Sequence, residues 1–211
     1  MNGEAIISKF ELYVDDATEL SSTEELALMN EKARDIYADR PWEFLKRPAT
    51  GTLSTSLPYV ALPADFDYMV ANAAYTENFA MSESGQAPVV VFVGTDYKPY
   101  RVVNWSDRRQ YREQNGIAYL DLPNLRLHFA KQPTSAEPYE FDYIHAPDDI
   151  ALNTEPLFPV QFQPLLYLAM AIDDDIIQRF EKARSYAGEN AAKYQAMFRR
   201  MALWNAQFSM N

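Results

Sequence analysis

The sequence predicts an α+β protein with helices toward both ends and a strand-rich stretch between them. Three observations carry this. Apolar residues recur every three or four positions within 1–47 and again within 158–211. Between Pro48 and Pro147 the period falls toward two, and proline, glycine and polar clusters cut the chain into short runs. With 211 residues and 48% hydrophobic content, the chain has enough apolar material for a real core.

The first helix runs from Asn2 to Val14, where Ile6, Ile7, Phe10, Tyr13 and Val14 share a face, and Asp15-Asp16 begins a turn. Ser22-Thr23-Glu24-Glu25 reads as a capping box, with the Ser22 hydroxyl and the Glu25 carboxylate satisfying free amides at the start of a second helix. Its inner stripe is Leu26, Met29, Ala33, Ile36 and Tyr37, and it ends before Pro41, which disfavours helical geometry at Arg40. Trp42, Phe44 and Leu45 read as core, as do Trp105 and Trp204, and Asn30 is expected to satisfy a nearby backbone group.

In the middle stretch, Leu125, Leu127 and Phe129 alternate with Arg126 and His128, and Phe141 and Tyr143 flank Asp142, as half-buried strands require. Val89 to Val93 is an unbroken apolar run suited to a more buried strand. Ser106 to Gly116 reads as a short exposed helix capped by Ser106, or as an ordered loop. Pro147, Pro156, Pro159 and Pro164 then form a rigid elbow, because proline fixes φ, removes an amide donor and sets the entry angle of the next helix.

That next helix begins near Pro164 and carries Leu165, Leu168, Ala169, Ile172, Ile176 and Phe180 on one face. Gly188 marks either a turn within EKARSYAGEN or a weak point in one continuous helix. The last helix places Ala191, Tyr194, Phe198, Met201 and Phe208 on one stripe, with Met197 and Trp204 beside it.

Charge and composition narrow the function. A net charge of −11 opposes wrapping nucleic acid, whose affinity comes from lysine and arginine displacing counterions. The absence of cysteine removes disulfides and thiolate metal sites and suits a reducing compartment. No signal-peptide pattern and no membrane-length apolar run is visible, so a soluble protein is expected. The chain's 14 tyrosines and 12 phenylalanines can bury large areas, and tyrosine keeps a polar tip suited to partner surfaces.

Phosphate-cradling glycine motifs, a nucleophile elbow and a zinc helix are all missing, which points away from an enzyme. His128 and His145 lack a neighbouring ligand cluster and read as two strand histidines. Asp173, Asp174 and Asp175 are the most tempting cation site, yet adjacent helix positions point about 100° apart, so a solvated or intersubunit face is the reading. Asp148-Asp149 reads as a turn. Arg108, Arg109 and Arg112 lie close together, and on a helix Arg108 and Arg112 share a face; they suit phosphate or a partner's carboxylates, with carboxylates favoured in so acidic a chain.

Three segments together resemble the head-to-tail adaptor (connector) proteins of tailed double-stranded DNA phages, including the tail-tubular type of short-tailed phages. They are ELSSTEELALMNEKARDIYADRPWEFL at Glu19 to Leu45, LPADF at Leu62 to Phe66, and FDYIHAPDDI followed by PLFPVQFQPLLYLAMAI. The similarity rests on the order and spacing of apolar positions around a tryptophan and several prolines, and it spans nearly the whole chain. It implies an antiparallel helical bundle from 1–47 and 158–211, with 48–157 inserted as a projecting β-rich lobe.

The resemblance further implies a homo-oligomeric ring, usually twelvefold, in the virion neck, assembled in the host cytoplasm. Such a ring docks under the portal, extends the channel through which double-stranded DNA passes without sequence recognition, and offers a platform to tail tube or nozzle proteins. It implies no cofactor, metal, membrane or catalytic residue. The segment Trp204, Asn205, Ala206, Gln207 and Phe208 is expected to reach the portal, while Arg108, Arg109, Arg112 and Asp173 to Asp175 are candidates for contacts with neighbouring subunits or tail proteins. The middle is larger than in some relatives. The alternatives are another neck or tail-completion ring protein, or a metal-dependent hydrolase using Asp173 to Asp175 with His128 or His145.

Overall fold

A computed structural model of the chain describes residues 1–15, 20–72 and 88–208. Asp16 and Glu19, which the sequence places in a turn and at the start of the adaptor-like segment, lie outside the described residues. The protein is mixed α/β, with five α-helices and one eight-stranded sheet among the described residues. It divides into two compact units, Met1–Leu45 with Pro147–Asn211, and Lys46–Ala146. No helix among the described residues is long and apolar enough to cross a membrane.

In the first unit, α1 (Gly3–Val14) begins at Asn2, whose side chain accepts from the Ala5 amide, and buries Ile6, Ile7, Phe10 and Val14. Helix α2 (Ser22–Ala38) is capped one residue earlier than the sequence suggested: Ser21 and Glu24 form the reciprocal box. Glu25 faces inward and is buried, so its carboxylate is not placed to reach an exposed helix start.

The apolar stretch after the elbow is not one helix. It forms α3 (Pro164–Ala171) and α4 (Asp174–Arg179), interrupted where Asp173 turns extended and caps α4. Six of the eight residues of α3 are buried, the pattern of a helix enclosed on nearly all sides, and it packs against α1, α2 and the long α5 (Glu181–Phe208). Helix α5 is continuous through Gly188; a glycine in a helix interior costs only about 1 kcal/mol, and buried Ala183, Asn190 and Met201 hold the helix on both sides of it.

The elbow belongs with these helices. The Gly3 and Glu4 amides donate to the Thr154 and Leu152 carbonyls, each at 2.9 Å, and Asn30 bonds both backbone groups of Ile150. The unit boundary therefore falls at Pro147 instead of 158, and at Lys46 instead of 48, because Lys46 and Arg47 already pair with strand residues Ile144 and Tyr143. Asp149 lies in the elbow too. It receives a two-pronged contact from Arg34, the shortest arm at 2.9 Å, and Asp148-Asp149 does not form the expected turn.

Gly3 sits where two backbones nearly touch: a Cβ there would stand 2.5 Å from the Ala151 carbonyl oxygen. Neither backbone can move without losing the two hydrogen bonds beside it. Gly3→Ala is expected to cost about 1–3 kcal/mol, read as a lower urea midpoint; an unchanged midpoint would contradict this packing.

In the second unit the strands are β1 (Lys46–Thr52), β2 (Tyr59–Ala61), β3 (Phe66–Met69), β4 (Val90–Val93), β5 (Lys98–Asn104), β6 (Ile117–Asp121), β7 (Arg126–Phe129) and β8 (Pro138–His145). They lie in the order β1-β8-β4-β5-β6-β7-β2, with β3 also paired to β8. All pairs are antiparallel except β5 with β6. Val60, Phe66, Val91, Leu127, Phe129, Phe141 and Tyr143 contribute to one core. Leu125 is not part of the alternating strand: it takes a left-handed conformation (φ 47°) after the turn Leu122–Asn124 and is exposed.

Candidate functional site

The parallel pairing of β5 and β6 determines where the arginines go. Parallel neighbours need a crossover of about a dozen residues, and 105–116 provide it. The crossover starts as a 3-10 turn, Trp105–Arg109, and then leaves helical geometry. Arg108 and Arg112 therefore do not share a helix face as the sequence suggested. The Glu113 amide is drawn instead to the Ala130 carbonyl at 3.1 Å, with Glu113 at φ 61° and Gly116 at φ 74° completing the return. Ser106 is not the cap: its hydroxyl donates to the neighbouring Asp107 carboxylate at 3.2 Å.

Several contacts hold this crossover still. The Tyr119 hydroxyl donates to the Arg108 carbonyl at 3.1 Å, and the Arg108 guanidinium donates to the Trp105 carbonyl at 2.8 Å while lying 4.6 Å from the Trp105 ring centre. The result is an open cleft of about 320 Å³ lined by Trp105, Arg108, Arg109, Arg112, Tyr119 and His128, with Glu113 as its one carboxylate. Arg109 and Arg112 are exposed and have no ion pair among the described residues. A fixed backbone carrying free guanidinium forks is suited to carboxylates.

His128 stands on the cleft floor between the Trp105 and Tyr59 rings, at 4.9 and 5.1 Å between centroids. Burial holds its pKa below the ordinary 6.5; the Asp121 carboxylate 3.6 Å away pulls the other way without prevailing. Above pH 6.5 the ring is neutral whether the chain is folded or not. Below it the unfolded chain takes up a proton that the folded one resists, so stability falls as pH drops through this window. His128→Gln is expected to flatten that slope in urea midpoints collected below pH 6.5, and equal slopes in the two proteins would count against the assignment.

His145 lies on β8 with Nδ1 3.9 Å from Asp65. Among the described residues no three histidine or carboxylate side chains are grouped to hold a metal ion.

The acidic run lies in the other unit. Asp173 caps α4, accepting from the Asp175 amide at 3.0 Å, and takes a 2.7 Å contact from Lys32, which also holds Glu31 at 2.9 Å. Burial alone would raise the Asp173 carboxyl, but hydrogen bonds and the Lys32 charge keep it below its ordinary value. Its carboxylate is thus engaged within the chain, leaving Asp174 and Asp175 exposed. With Glu24, Glu31, Ala27, Leu28 and one cation, Arg179, they line a groove of about 490 Å³ along α2 and α4.

At the end of α5, Trp204 packs against Phe162 and Phe208. Asn205 is buried, accepting from the Glu43 amide at 2.7 Å and donating to the Pro41 carbonyl at 3.2 Å. It braces the helical unit, so Ala206, Gln207 and Phe208 are the outward residues of this segment, joined by Leu203 at 67% exposure.

Of the elbow prolines, Pro156 and Pro159 flank Phe158, which stacks on Tyr37 at 4.6 Å, and Pro164 opens α3. Sequence reasoning missed Lys32, Glu24 and Glu31 as neighbours of the aspartate run, because nothing local links α2 to α4.

No protein-family model matches the chain, and no curated protein matches it in sequence.

Proposed function

We propose that the protein is a ring-forming head-to-tail adaptor of a tailed double-stranded DNA phage, a structural part of the virion neck without catalytic residues. The observation that carries this reading is the division of labour along the chain. Helices from either side of the strand-rich segment are tied into one unit by Gly3–Thr154, Asn30–Ile150 and Asn205–Pro41, while every strand among the described residues belongs to 46–146. In this reading the terminal helices form an antiparallel bundle and the β-rich lobe is inserted and projects from it.

Identical copies close into a ring only when each repeats the same rotation, so the elbow prolines have a purpose: they limit the poses a copy can take. Twelve copies would dock under the portal through Ala206, Gln207 and Phe208 and present the strand-rich segment to tail tube or nozzle proteins. A net charge of −11 per copy suits a channel that lets DNA slide without holding it.

The test is negative-stain imaging and native mass spectrometry of the purified protein, alone and with portal. Large annular particles are expected. Monomers only, even with portal present, would reject the reading. Another neck or tail-completion ring differs in location, which gold labelling of particles would reveal.

A further inference from the structure

We infer that the arginine crossover of one copy docks into the acidic groove along α2 and α4 of the next copy, a contact that rests on the ring reading and specifies how its subunits meet. No other five-residue window of the sequence holds three arginines or lysines, as 108–112 does. The bonds at Arg108 described above hold the backbone of that segment, so docking orders the exposed Arg109 and Arg112 side chains but not the loop that carries them. Arg109 and Arg112 form no ion pair among the described residues, in a cleft where Glu113 is the one lining carboxylate; Asp174 and Asp175 form none either, in a groove whose five lining carboxylates outnumber its one lining cation, Arg179.

Charge decides the occupant. Each copy carries −11, so two copies repel unless complementary patches meet. Crossover against crossover sets like charges together, as does groove against groove. Crossover against groove alone relieves the repulsion, and because the two surfaces differ, the contact is head-to-tail, the geometry that generates rings. An exposed ion pair contributes at most about 1 kcal/mol, so the pairs fix register and partner while apolar surface supplies the burial. Trp105 in the cleft and Leu28 in the groove offer such surface.

The chain has no cysteine, which permits a direct test. Gln110→Cys and Ala27→Cys alter exposed neutral residues, one beside each surface, and leave every charge in place. The two proteins are mixed with portal under a mild oxidant. The expected result is a covalent dimer in the mixture and little in either protein alone. Its yield should fall about tenfold between 0.1 M and 1 M salt, as the screening length contracts from about 10 to about 3 Å. Adding Arg109→Glu and Arg112→Glu to the Gln110→Cys protein should abolish the cross-link, and Asp174→Lys with Asp175→Lys on the other protein should restore it.

Rings without the mixed cross-link would overturn the inference and leave the ring reading standing. Neither rings nor cross-links would remove both. Cross-linking of the Gln110→Cys protein with itself would overturn the inference in favour of a two-fold contact. Intact rings that lose attachment of another virion protein on arginine reversal would also overturn it, assigning the cleft to that protein.

Discussion

Trp42→Ala is expected to destabilise the helical unit by about 3–5 kcal/mol, the range for deleting an enclosed aromatic side chain. Trp42 has 0% exposure and lies just past the end of α2. Its indole nitrogen donates to the Ile36 carbonyl at 2.7 Å, its ring stacks on Phe44 and meets Phe198 of α5 edge-on at 5.9 Å, and the Arg40 guanidinium lies 5.1 Å from it. One side chain therefore fills the core, satisfies a buried carbonyl and joins α2 to α5. Trp42→Phe keeps most of the volume and loses the hydrogen bond, so it should cost less, about 1–3 kcal/mol. Urea unfolding followed by helical circular dichroism measures both. A loss under about 1 kcal/mol for the alanine variant would show that the site collapses around the deletion.

Asn30→Leu is the second large effect. The Asn30 side chain donates to the Leu26 and Ile150 carbonyls, each at 3.1 Å, and accepts from the Ile150 amide at 2.7 Å, in a buried position. Leucine is close in volume but leaves both groups of Ile150 without that partner, at about 1–3 kcal/mol for each orphaned group. Asn30→Asp keeps the acceptor, loses the donor and adds a buried charge, so it should not rescue. Beyond a lower urea midpoint, the elbow around 147–157 should become sensitive to limited proteolysis, because Asn30 is its central attachment to α2. Unchanged proteolysis would mean that the bonds from Gly3 and Glu4 suffice to hold it.

Burial patterns were legible in the sequence wherever they depend on local period. The inner residues read for α1 are buried apart from Tyr13, and Val90–Val93, Phe141 and Tyr143 lie in strands as expected. Interruptions were not legible. The apolar series from Leu165 to Phe180 stays in helical phase across the break at Asp173, so periodicity cannot reveal it, and only the capping chemistry of an aspartate marks the spot. Capping patterns also overlap: Ser21 and Ser22 each have a glutamate three residues on, and the inward direction of Glu25 decides between them.

Long-range polar contacts were the least legible. The type of Asn30 suggested a backbone partner, but no local pattern names Ile150, nor Pro41 and Glu43 for Asn205, nor Lys32 for Asp173. The arginine cluster was visible, yet its presentation depends on a parallel β5–β6 pair, and alternation along a strand carries no information about the direction of its neighbour.

The most direct measurement of the ring-adaptor reading is an electron cryomicroscopy map of the neck of a particle containing this protein. The expected map shows a closed ring of copies beneath the portal, with the α5 ends toward the portal and the strand-rich segments toward the tail. A map whose neck lacks the chain, or holds it as isolated copies outside the channel, would contradict it.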